Sequence, residues 1–266
     1  MIVLHKATKR QTDYKQWLRP AKTSLMAKLQ AYRKDKKKEK DWITQANREK
    51  IQAFLFPTSS FKCAYCERLA DILEIDHFYP KDDDLYADKA FDFNNLLPCC
   101  KKCNSVKGKR FEANGHEIID PYVQRRLKQH LSLNTSNLKL TGTSGMGAAT
   151  IEVMARSLNV KVDTLGKRRQ TALFLRKEIA RNMKLSLEKL EKKKDNHELV
   201  VYGLTELLDK ILPSKAFTAV RASLLLHHPL FIALMAHLKS ECPAGFTELQ
   251  KMASHKKRYC LAVTAN

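Results

Sequence analysis

"NNLLPCCKKCNSVKGKR", residues 94–110, sets three cysteines within five positions among lysines and asparagines, with no apolar run after them to form a core. Upstream, "FKCAYCERLADILEIDHFYPK", residues 61–81, holds another close pair. Cys63 and Cys66 form one C-x-x-C; Cys100 and Cys103 form a second, roughly thirty residues later. A C-x-x-C turn aims two thiolates at one ion, and two such turns complete a tetrahedron. The spacing therefore predicts a Zn²⁺ site of Cys63, Cys66, Cys100 and Cys103. Using Cys99 instead of Cys100 gives a poorer C-x-x-x-C, so Cys99 is expected to be a small buried residue. Four cysteines leave no open position for water, which makes this zinc structural and puts the chemistry elsewhere.

The residues between the pairs supply that chemistry. "ILEID", residues 72–76, alternates apolar and acidic residues and predicts a short strand. Asp76-His77 stands at its end, Asn95 in the loop before the second pair, and Asn104 directly after Cys103. Zinc would draw the strand end and the following helix together, so a carboxylate, a neutral imidazole and an amide oxygen are expected to converge. A hard divalent cation takes oxygen ligands, which Asp76 and Asn104 supply. His77 is then placed to deprotonate a water. Lys107, Lys109 and Arg110 fall where phosphates would lie. These are the parts of a metal-assisted phosphodiester hydrolase.

The pattern C-x-x-C … E-I-D-H-F-x-P-K … N-L-L-P-x-C-x-x-C-N-x-x-K-G resembles an HNH endonuclease, the ββα-metal fold, over residues 61–110. The resemblance implies that His77 is the general base, that Asp76 and Asn104 bind the catalytic ion, and that Asn95 tethers the loop orienting His77. One position departs: the last signature residue is Asn104 rather than His. An amide oxygen favours a hard ion, so Mg²⁺ or Mn²⁺ is expected. "KCAYCE", "EIDHFYPK", "NNLLPCCKKCNSVKG", "IIDPYV" and "TIEVMARSLNVKVDTLGKRR" are further similar to the HNH subunit of Septu-type anti-phage systems, a pair also carried by some retrons. That resemblance implies an ABC/SMC-like ATPase partner and extends over about residues 1–180.

The whole chain agrees in charge. Its 266 residues carry 49 Lys+Arg against 28 Asp+Glu, a net +21, which points to a polyanionic partner. DNA is expected ahead of RNA such as tRNA. The competing reading is a zinc-stabilised nucleic-acid-binding module without catalysis; it gives no reason for Asp76, His77 and Asn104 to stand together. No secretion signal is visible, and "SLLLHHPLFIALMAHL", residues 223–238, is too short to span a bilayer and is interrupted by His227, His228 and Pro229. A cytoplasmic protein with no membrane partner is expected, its seven cysteines serving as metal ligands or thiols rather than disulfides.

The predicted fold is α+β and predominantly helical. A zinc-stabilised ββα-metal module at 58–115 stands between an N-terminal strand and helical region at 1–57 and a helical C-terminal region at 116–266. A short strand is expected at "MIVLHKA", then helix from Thr12 to about Phe56 with a break near Pro20. "LKLTGTSGMG" reads as strand and loop, with helix from Thr150. Leu165, Ala172, Leu175, Ile179, Met183, Leu187 and Leu190 mark an amphipathic helix. Its apolar stripe suits either a partner contact or burial within the chain. Helices at about 199–212, 216–226 and 230–239 complete the pattern.

Overall fold

The computed structural model describes residues 8–35, 43–122, 127–159, 172–212 and 214–264. The strand expected at 1–7 and the start of the helix expected at 165–190 lie outside them. Helix α1, Thr8–Lys34, buries Tyr14, Leu18, Leu25 and Leu29 as one stripe. The break expected at Pro20 does not occur; the helix runs through it. Pro20 lies on the exposed face, where the carbonyl it cannot bond meets water, and the buried stripe keeps both halves in line. Helix α2, Gln45–Leu55, is capped by Thr44, whose hydroxyl accepts from the Asn47 N–H.

Strands β1, Leu73–His77, and β2, Leu96–Cys100, pair antiparallel with Leu73 opposite Cys100 and His77 opposite Leu96. Helix α3, Lys101–Lys107, follows β2 without a loop, completing the expected ββα unit. Gly108 ends it at φ +56°, a left-handed position that glycine takes without strain, and returns its N–H to the Asn104 carbonyl. A small ribbon, β3 (Glu112–Ala113) and β4 (His116–Glu117), turns at Asn114-Gly115, both at positive φ.

Strands β5, Leu131–Asn134, and β6, Leu140–Gly142, lead into helix α4, Gly145–Leu158. This helix begins five residues before Thr150 because Ser144 caps it, accepting from the Gly147 N–H at 3.1 Å. A Cβ at Gly147 would stand 1.8 Å from the His130 carbonyl oxygen, so the glycines permit close packing rather than forming a loop. Four further helices are α5 (Ala172–Glu191), α6 (His197–Asp209), α7 (Thr218–Leu226) and α8 (Pro229–Glu241). Helix α9, Pro243–Lys256, and strand β7, Ala262–Thr264, were not legible in the pattern; β7 pairs parallel with β5. Most of the α5 stripe, Ala172, Met183, Leu187 and Leu190, is buried within the chain, where α5 packs on α6, α7 and α8, while Leu175 and Ile179 stay half-buried.

Two cores result. One joins α1 and α2 to Ala90, Phe91, Phe93 and Leu96. The other runs unbroken from Cys63 to Leu261, so the cysteine turns, the hairpin and the C-terminal helices share one interior. Among the described residues no single helix is long and apolar enough to cross a membrane; α7 and α8 reach that length only as a pair bent by 59°.

Candidate active site

The first cysteine turn is built by its backbone. The Cys63 N–H donates to the Arg68 carbonyl at 2.9 Å and the Glu67 N–H to the Cys63 carbonyl at 2.9 Å, with Glu67 at φ +65°. The Ala64 N–H docks this turn on β2 through the Pro98 carbonyl, 2.8 Å away. The sulfurs of Cys63, Cys66, Cys100 and Cys103 consequently lie within 4.8 Å of one another, all buried, with Cys66 and Cys100 3.9 Å apart. A tetrahedral Zn²⁺ with bonds of about 2.3 Å sets its sulfurs about 3.8 Å apart, so the four thiols fit the ion. Cys99 is fully buried and donates to the Cys100 carbonyl, outside the set of four.

Cations surround this cluster. Burial pulls the Arg68 guanidinium down, but Cys66 and Cys100 outweigh it and raise it. Burial lowers Arg176 to about 10, with Cys66 and Glu67 opposing the fall. Glu67 also ties the turn to α7: its carboxylate accepts from the Ala219 N–H and its carbonyl from the Phe217 N–H, each at 3.2 Å.

At the opposite end of the hairpin, His77 Nε2 donates to the Ala90 carbonyl at 3.0 Å. A carbonyl only accepts, so the proton sits on Nε2 and Nδ1 carries the basic lone pair. Burial, with Lys81 and Lys107 nearby, lowers the His77 pKa to about 3, which keeps the ring neutral. Asn95 holds the loop that brings Ala90 there. Its Oδ1 accepts from the Tyr79 N–H at 2.7 Å, and its Nδ2 donates to the carbonyls of Tyr79 and Lys89 at 3.1 and 3.0 Å.

Asp76 is placed differently from the sequence expectation. Its carboxylate accepts from the Tyr65 hydroxyl at 2.7 Å and pairs with Lys107 Nζ at 3.3 Å. Burial pushes this carboxyl up, while Lys107 and Tyr65 pull it back. Lys107 is 0% exposed and also donates to the His77 carbonyl at 2.7 Å. It cannot grip a phosphate; it is a buried counter-ion, because the helical turn from Asn104 to Lys107 directs it at the underside of β1. Lys109 is exposed and pairs with Asp82 at 3.1 Å. Arg110 donates to the carbonyls of Val106 and Val153, holding α3 against α4.

Asn104 meets Glu74 instead of Asp76, its Nδ2 donating to Oε2 at 2.7 Å. A cleft of about 480 Å³ is lined by Glu74, His77 and Asn104, with Arg48 and Lys81, and does not include Asp76. The structure thus brings His77 and Asn104 to one cavity and turns Asp76 toward Lys107. Glu74 was passed over in the sequence. The period-two alternation of β1, which puts it on the same face as Asp76, was the signal that could have found it. An amide and a carboxylate beside a neutral imidazole suit a hard divalent cation.

The HNH endonuclease family pattern matches residues 63–110, from the first cysteine turn through α3, and the chain is a metal-dependent endonuclease of this class. Septu protein PtuB of Bacillus thuringiensis is 30% identical over 222 residues, 79% of this chain and 81% of that protein. The chain belongs to the Septu PtuB family. No solved structure matches it.

Proposed function

We propose that this chain is the nuclease effector of an anti-phage defence pair, hydrolysing phosphodiester bonds of nucleic acid, with DNA as the first candidate substrate. The observation that carries the reading is the state of His77. Its Nε2–H is engaged by the Ala90 carbonyl, its ring is neutral, and it lines a cleft with Asn104. Nδ1 is therefore the nitrogen that takes the proton of the attacking water. Asn95 positions His77 through the loop carrying Ala90. Asn104 and the Glu74 carboxylate beside it would hold Mg²⁺ or Mn²⁺ in the cleft; Asp76, the ligand the motif implies, would join them only by giving up its pairing with Lys107. Bound there, such an ion would supply charge stabilisation at the phosphate and at the leaving 3′ oxygen. The products would then carry 5′ phosphates.

The net charge of +21 supports a polyanionic substrate and makes an unrestrained enzyme hazardous to its host. Kinship to PtuB supports an ATPase partner that gates access, docking on helical surface outside 61–110. The test is cleavage of plasmid DNA and of tRNA with and without Mg²⁺, with and without the co-expressed neighbouring reading frame. His77→Ala should lose at least about a hundredfold in rate, the contribution of a positioned general base, and should retain its zinc. Undiminished nicking by His77→Ala at saturating Mg²⁺ would end the assignment.

A further inference from the structure

A second cavity, of about 530 Å³, lies beside the catalytic cleft, between the first cysteine turn, the start of α3 and the helices α5 and α7. Four cations line it: Arg68, Lys101, Lys102 and Arg221. Two acids, Asp71 and Glu178, face them. The cations are not equivalent. Arg68 is tied to the Cys100 sulfur and Arg221 to the Ala216 carbonyl, 3.0 Å from its Nε. Lys101 and Lys102 make no ion pair among the described residues.

Two features connect this groove to the chemistry. Ile72, 77% exposed, lines both cavities and forms the ridge between them. Helix α3 spans the same boundary, with Lys101 and Lys102 in the groove and Asn104 in the catalytic cleft within one turn. A chain of phosphates entering the catalytic cleft therefore meets the groove as its continuation. An excess of cations, two of them without carboxylate partners, is the chemistry of a phosphate track, which positions a strand without reading its sequence. Exposed apolar surface at the ridge suits contact with sugars and base faces rather than with solvent.

We propose that this groove, through Lys101 and Lys102, binds the nucleic-acid strand on one side of the scissile phosphate. The assignment rests on the nuclease reading and fills the role from which burial excludes Lys107. An acidic segment of a protein partner is the other occupant such a groove could take, and the experiment separates the two.

The full-length zinc-loaded chain is titrated with a fluorescein-labelled DNA duplex and with a labelled RNA hairpin, by anisotropy, over a range of KCl. Lys101→Gln/Lys102→Gln should flatten the slope of log affinity against log salt by about 1.8, two phosphate contacts at about 0.9 each. Zinc content and Tm should match wild type. Glu178→Lys, which reverses the sign of a groove residue, should tighten binding and steepen the slope. A double variant that keeps the wild-type slope and affinity overturns the groove while leaving the nuclease reading intact. So does one that keeps them but loses a co-purifying ATPase subunit, since the groove then serves that protein. Failure of the wild type to bind or cut either polymer overturns both.

Discussion

The β1–β2 hairpin carries a polar cluster at each end, and the two were decided by different physics. At the Leu73–Cys100 end, four sulfurs close on one point and admit a single arrangement. Toward the His77–Leu96 end, an imidazole, the Asp76 carboxylate and a buried ammonium gather around the strand end, while Glu74, opposite Cys99, holds the Asn104 amide further along the same strand. The difference is one of closure. A four-thiolate shell leaves no choice of partner, so local spacing determines it. An open site keeps positions for water and substrate, and which side chain meets which depends on packing from elsewhere in the chain.

The largest test of this contrast is loss of the closed end. Cys103→Ala should not retain zinc, removing binding free energy on the order of 10–16 kcal/mol. Because the cysteines belong to the core that reaches Leu261, hydrogen exchange should show lost protection in α6 to α9 as well as in 61–110. Cys99→Ala should keep one zinc. Zinc retained by the first variant and lost by the second would mean that the shell is a different four.

At the open end, Lys107→Ala should destabilise the fold by about 3–5 kcal/mol, because it leaves the Asp76 carboxylate buried without its partner. Chemical denaturation measures that loss. The salt dependence of nucleic-acid binding should stay as in wild type, and a flattened slope would put Lys107 back among the phosphate contacts.

A smaller effect comes from protons. Folding holds His77 at about 3, below the ordinary value near 6.5 that it regains when unfolded. As pH falls, the unfolded chain takes the proton first, so this group's contribution is complete above pH 6.5 and disappears progressively down to about 3. Stability measured from pH 7 to 4 should fall more steeply in wild type than in His77→Phe. The cleavage rate should show no acid limb near 6.5; one there would mean an imidazole open to water. The smallest change belongs to Lys109→Ala, which should lower the salt slope by at most about 0.9, a single contact.

What the sequence revealed follows the same division. Cys63, Cys66, Cys100 and Cys103 were readable because their geometry is set within two short turns and one hairpin. The strand at 72–76 and the helices α5 to α8 were readable because one-sided burial leaves a period in the residues, whereas α9 was not. The burial of Lys107 was not, because a lysine after a metal-type motif looks the same whether it faces solvent or Asp76. The run of α1 through Pro20 depends on which face packs against residues 90–96, far away in sequence. Glu74 was hidden by its role as one polar step in an alternating strand.

The parallel pairing of β7 with β5 also sets an order of events during synthesis. Parallel partners are joined by long connections, and here β5 remains an edge until residues 262–264 arrive. At about 5–20 residues per second, roughly ten to thirty seconds separate the making of Cys103 from that of Thr264. Throughout that interval all four sulfurs have been made and can take up metal, while one side of β5 still offers bare backbone to any passing strand. The hairpin bearing His77 can therefore close before the chain that seals its neighbouring sheet exists.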